Sequence, residues 1–138
     1  MAGRLIVYLL DTNIWLERFL EQDRADVVRR FLDAIPPEEL FLTDFSFHSI
    51  GLILTRLKRF DILLRFVEDI FLEAGVTLIH LPPDDTPQIL HVLQSSRLDF
   101  DDAYQYVAAE KHNLTLISFD TDFDHTQRGR MTPDALLR

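Results

Sequence analysis

The chain has 138 residues, 47% of them hydrophobic, with no cysteine and a net charge of −9. That is one domain's length with enough apolar content to bury a substantial core, which excludes a disordered chain. Without cysteine there is no disulfide framework and no thiolate zinc site, and no apolar run approaches the roughly 18–20 residues that span a bilayer.

The opening apolar run, Leu5–Leu10, is too short for a signal-peptide core and no small-residue cleavage site follows it. A cytoplasmic protein is therefore expected, with no membrane association. That run reads as a strand ending in Asp11. Asp11-Thr12-Asn13 has N-cap chemistry for a helix through Ile14, Trp15, Leu16 and Phe19. A second helix carries Val27, Val28, Phe31 and Leu32 at helical spacing and is stopped by Pro36-Pro37. Phe41-Leu42-Thr43 is a short strand. Asp44 or Ser46 caps the helix that follows, with Ile50, Ile53, Leu54 and Leu57 as its core stripe. A helix over about Asp61–Glu73 comes next, with Gly75 as its C′ residue.

Val76–Leu81 reads as a third strand, Thr86–Leu93 as a helix with Pro87 in its first turn, and Phe100 to about His112 as a helix capped by Asp99. Leu114–Ile117 is a fourth strand. Arg130-Met131-Thr132 is a candidate edge strand, and Thr132-Pro133-Asp134 a helix start. This alternation predicts one domain over residues 1–138, a three-layer α/β/α sandwich around a mostly parallel sheet of four to five strands.

Chemistry concentrates in the aspartates. Six of them, Asp99, Asp101, Asp102, Asp120, Asp122 and Asp124, flank the last apolar run. If that run lies in a parallel sheet beside the first strand, Asp11, Asp102 and Asp120 converge at the carboxyl edge, where such folds bind ligands. Each has an ordinary explanation taken alone: Asp99 as a cap, Asp101 and Asp102 on the macrodipole, Asp120 and Asp122 in an Asx turn. Together, uncompensated carboxylates repel, and a hard divalent cation, Mg²⁺ or Mn²⁺, relieves the repulsion through oxygen ligands. A cation so held can activate water against a phosphodiester. No Gly-rich phosphate loop, His-Glu-x-x-His helix or Gly-x-Ser-x-Gly elbow is present, and no organic cofactor is implied.

The acidic balance argues against a simple nucleic-acid-binding module but not against a nuclease. Twelve of the fourteen basic residues are arginine, the type suited to bidentate phosphate contacts. Arg56, Lys58 and Arg59 cluster, as do Arg128 and Arg130. Among the eleven phenylalanines, Phe60 and Phe66 are candidates for an apolar partner-binding surface.

The strand ending Leu10-Asp11-Thr12-Asn13, the helix opening Asp101-Asp102-Ala103 and the turn Ser118-Phe119-Asp120-Thr121-Asp122-Phe123 resemble, in order and separation, the PIN-domain ribonucleases that include VapC-type toxins. The resemblance covers nearly the whole chain. It implies an α/β/α sandwich, metal-dependent RNA cleavage, a homodimer, and a partner antitoxin that restrains activity. It assigns Asp11, Asp102 and Asp120 to the metal and to catalysis, and Asp122 to a further metal-site acid. It assigns Thr12, Asn13, Asp101 and Ser118 to supporting roles. One departure stands out: where family members usually carry a glutamate in the helix after the second strand, this chain has Ser49, preceded by His48. Serine can order a water but brings no charge. The alternative is thus a PIN domain without catalysis that binds protein or RNA. A metal-dependent phosphatase or phospho-receiver fits less well, since its first strand ought to end in paired acids rather than Asp11-Thr12-Asn13.

Overall fold

The computed structural model describes residues 6–137, so Leu5 of the expected first strand lies outside the described residues. The strands are β1 (Tyr8–Leu10), β2 (Leu40–Thr43), β3 (Thr77–Ile79) and β4 (Thr115–Ile117). They form one parallel sheet in the order β3-β2-β1-β4. The helices are α1 (Thr12–Phe19), α2 (Ala25–Ala34), α3 (Asp44–Arg56), α4 (Phe60–Phe66), α5 (Thr86–Ser96) and α6 (Phe100–His112).

Alternation along the short strands builds two cores. Tyr8 and Leu10 of β1, with Leu40, Leu42 and Ile117, pack against Trp15, Phe31, Leu54 and Phe66 of α1 to α4. Leu9 and Leu116 point the other way, onto Ile89 and Val92 of α5 and Val107 of α6. A period of two in the side chains thus makes a sheet buried on both faces, and the result is an α/β/α sandwich.

The chain leaves β1 for helices on one face and reaches β4 from helices on the other. The crevice beyond the carboxyl ends of β1 and β4 is therefore a topological switch point. The ladder holds to its end: Asp11 N–H donates to the Ile117 carbonyl at 2.9 Å. Asp11 and the residues after Ile117 are thereby side by side.

Several local expectations shift. The α3 cap is Thr43, not Asp44 or Ser46; its Oγ1 accepts from Ser46 N–H at 3.0 Å. Thr43 is fully buried and its hydroxyl needs bonds in both senses, whereas exposed Asp44 accepts from the Tyr104 hydroxyl at 2.7 Å. The expected Asp61–Glu73 helix begins at Phe60 and changes to π-helical winding over Val67–Glu73. It closes with Ala74 N–H on the Asp69 carbonyl and Gly75 at φ +73°, a conformation that favours glycine. The third strand is shorter than expected, three residues rather than Val76–Leu81. Helix α5 runs on to Ser96. Of the expected edge strand only a bridge between Ile117 and Met131 forms, and a 3₁₀ turn follows at Pro133–Leu136. Phe66 is no surface residue. It is fully buried, edge-on to Trp15, Phe19 and Phe71; Phe60, in contrast, is 57% exposed.

Candidate metal centre

Asp11 caps α1 from the end of β1, and its carboxylate is buried. Oδ1 accepts from Thr12 N–H at 2.9 Å and from Gln105 Nε2 at 3.0 Å, and Oδ2 accepts from the Ser118 hydroxyl at 2.7 Å. Burial pushes its pKa up; the bonds from Gln105, Ser118 and Thr12 pull the other way, and the nearby Asp120 adds to the rise.

Gln105 is the hub that sequence reasoning missed. Its Nε2 also donates to Ser46 Oγ at 2.7 Å, and its Oε1 accepts from the Thr43 hydroxyl at 2.6 Å. The Thr12 hydroxyl reaches Ser46 Oγ at 3.0 Å. Gln105 lies three residues past Asp102 on α6, hence on the same helix face. That spacing was the available signal. A polar residue there reads as solvent-facing until the sheet is built beside it.

Ser118, just past β4, ties the two strand ends together. Its Oγ accepts from Asn13 Nδ2 at 3.3 Å and from Asp120 N–H at 3.0 Å, while Phe119 N–H donates to Asn13 Oδ1 at 3.2 Å. Asp120 caps the 3₁₀ turn Thr121–His125 by accepting from Asp122 N–H at 2.8 Å. The turn is clamped from outside: Arg130 donates to the Ser118 carbonyl at 3.0 Å and forks onto Asp124 at 3.0 and 3.2 Å. Arg128 likewise spends its guanidinium on the Leu114 carbonyl. This arginine pair braces the fold rather than standing free for RNA.

On α6, Asp99 is the cap, accepting from Asp102 N–H at 2.8 Å, and Asp102 projects from the first turn. Carboxylate oxygens of Asp102, Asp120 and Asp122 lie within 4.8 Å of one another. They open on a cleft of about 420 Å³ whose walls also include Asp11, Thr12, Asn13, Ser49, Asp99 and Asp101. Asp11, Asp102 and Asp120, grouped from the sequence, all line this cleft; Asp11 is buried there with its oxygens hydrogen-bonded, while Asp122 joins the other two. Ser49 reaches the cleft wall as an uncharged group. Among the described residues no ion pair reaches Asp102, Asp120 or Asp122. Partial burial, then the charges of Asp99, Asp120, Asp11 and Asp122, push the Asp102 pKa up to about 7.

The donor set suits a hard divalent cation. Oxygens about 2.1 Å from Mg²⁺ lie about 3 Å apart when adjacent and about 4 Å apart when opposed, so the observed cluster needs little closing.

With fold and cleft in hand, the class is clear: the PIN domain family pattern matches residues 8–129, and the chain belongs to that family. No curated protein matches the chain. Solved structures resemble it in fold. One is a toxin–antitoxin complex from Klebsiella pneumoniae, 22% identical over 91% of this chain and 97% of that one, with a TM-score of 0.74. FitAcB from Neisseria gonorrhoeae is 26% identical over 92% of this chain and 98% of its own, also at 0.74. VapC20 from Mycobacterium tuberculosis, a sarcin-ricin loop cleaving toxin, is 19% identical over 87% and 95%, at 0.73.

Proposed function

We propose that this chain is a metal-dependent endoribonuclease and the toxin of a toxin–antitoxin pair. The observation that carries the reading is the group of three unpaired carboxylates, Asp102, Asp120 and Asp122, at the sheet's switch point. They would hold Mg²⁺ or Mn²⁺, which when bound supplies positive charge to a phosphodiester and acidifies water.

The chain's own residues do the rest. Asp11 sets a buried carboxyl at the back of the cleft, oriented by Gln105, Thr12 and Ser118. Ser118 and Asn13 lock the turn that presents Asp120 and Asp122. Asp99 and Asp101 enlarge the negative field that draws a cation into the cleft. The toxin role and the antitoxin partner are supported by the neighbours, one of them a toxin–antitoxin complex; a homodimer is the expected assembly. Among the described residues no helix is long and apolar enough to cross a membrane, and the cytoplasm is the proposed compartment.

Ser49 favours a second reading, a PIN domain that binds without cleaving, because it leaves that wall of the cleft uncharged. The two part on a cleavage assay with purified protein, Mn²⁺ and single-stranded RNA of mixed sequence. The nuclease reading expects cleavage in wild type and a loss of at least about 100-fold in Asp120→Asn, more than removal of a mere supporting group. Equal rates in the two proteins, or none in wild type at saturating Mn²⁺, would contradict it.

A further inference from the structure

The acidic cleft does not end at the aspartates. Leu16 of α1 and Ile53 of α3 are among its walls. One turn further along α1, about 6 Å on, Leu20 lines a second cleft of about 270 Å³ together with Arg18, Glu21, Arg59, Asp61 and Arg65. Leu16 and Leu20 share a face of α1, as Ile53 and Leu57 share a face of the α3 segment, and α3 packs on both α1 and α4, so the two clefts are one helical turn apart along α1. Leu57, 54% exposed, continues the apolar stripe of Ile53 beyond the helix.

Charge changes sign from the first cleft to the second. The protein has 23 acids against 14 lysines and arginines, yet three arginines converge here, with Arg56 and Lys58 on the adjoining turn. Arg18 and Arg65 make no ion pair among the described residues. Arg59 is held by Asp61 through Nε and one Nη, both at 3.3 Å, which fixes the plane of its fork. Arg18 and Arg56, in the last turns of α1 and α3, answer the helix macrodipole. The macrodipole does not account for arginines of α1 and α4 facing one cleft.

We propose that this cleft, walled by Arg18, Arg59 and Arg65, binds a backbone phosphate of single-stranded RNA a few nucleotides from the bond to be cut. The inference rests on RNA being the substrate. The guanidiniums of Arg18 and Arg65, in no ion pair among the described residues, match phosphate oxygens, while Arg59, forked onto Asp61, adds positive charge to the wall without a free fork. The arginines thus offset, locally, the repulsion that the rest of this acidic surface exerts on a polyanion.

The test is fluorescence anisotropy in EDTA, which removes catalysis, with a fluorescein-labelled single-stranded RNA of about 12 nucleotides. The double variant Arg18→Ala/Arg65→Ala should bind at least about tenfold more weakly than wild type at about 50 mM salt. Its slope of log K against log salt should be shallower by about 0.7, the loss of one neutralised phosphate. The double variant Arg30→Ala/Arg97→Ala makes the same change in net charge elsewhere and should match wild type. Equal weakening by both pairs would reduce the effect to net charge and overturn the site. Unchanged binding in the Arg18/Arg65 variant would overturn it too and leave the cleft to a protein partner. Because no metal is present, failure here is separable from failure of the cleavage assay, which tests the proposed activity itself.

Discussion

One carboxylate and a group of three meet at the same sheet edge and are treated in opposite ways. Asp11 is buried, and its oxygens accept bonds from a backbone N–H, an amide and a hydroxyl. Asp102 and Asp120 are half-buried and Asp122 exposed, in no ion pair among the described residues. A fold that supplies three donors to one acid and no counter-charge to the next three has satisfied its scaffold and left its site unsatisfied. Unpaired, mutually repelling acids cost stability, and these stand at the switch point where such folds bind ligands.

The comparison can be sharpened by cutting its two halves separately. The largest effect is expected from Gln105→Leu, which removes a donor from Asp11 and from Ser46 and strands the Thr43 hydroxyl. Stability should fall by about 1–3 kcal/mol in urea unfolding, and Mn²⁺ affinity by about 10–100-fold in calorimetry, as for groups that orient metal ligands. A variant that is destabilised but binds metal as wild type would show that the buried network does not serve the open acids.

Arg130→Met comes next. It releases the Ser118 carbonyl and Asp124 while touching no cleft carboxylate. About tenfold weaker Mn²⁺ binding is expected from the loosened turn, with a stability loss of about 1 kcal/mol. Equal affinity would mean that Asp120 and Asp122 hold their places without the clamp.

The smallest effect is a trend in pH. Asp102 titrates in the folded protein at about 7 against an ordinary 3.8, and the Asp11 pKa is raised as well. Folding therefore disfavours their ionised forms, and the destabilisation appears as pH rises above about 4 and is complete for Asp102 above about 7. In EDTA the melting temperature should decline between about pH 5 and pH 8, and Asp102→Asn should flatten that decline. A rise over this range would contradict the reading of the cleft as uncompensated charge.

Much of this was legible in the sequence because the relevant signals are local. Asp99 as the α6 cap, Asp11 as the α1 cap and the Asp120–Asp122 turn follow from side chains bonding to nearby backbone. The parallel sheet followed from short apolar runs alternating with helical stripes. What stayed hidden depends on contacts distant in sequence. Gln105 meets Thr43, 62 residues away, and Asp11, 94 away, and nothing in its neighbours announces burial. Arg130 reads as a free cation until its fork is seen on Asp124. Thr43 displaced Asp44 as a cap because only burial distinguishes two adequate capping residues. The π-helical turn at Val67–Glu73 keeps the apolar pattern of an α-helix, so periodicity did not reveal it.

The central claim is that the open aspartates take up a divalent cation, and isothermal titration of purified protein with Mn²⁺ tests it most directly. The account predicts saturable binding in wild type that weakens as pH falls from about 8 to 6, and that is lost in Asp102→Asn/Asp120→Asn while that variant still folds. Titrations of wild type and variant that cannot be told apart would contradict it.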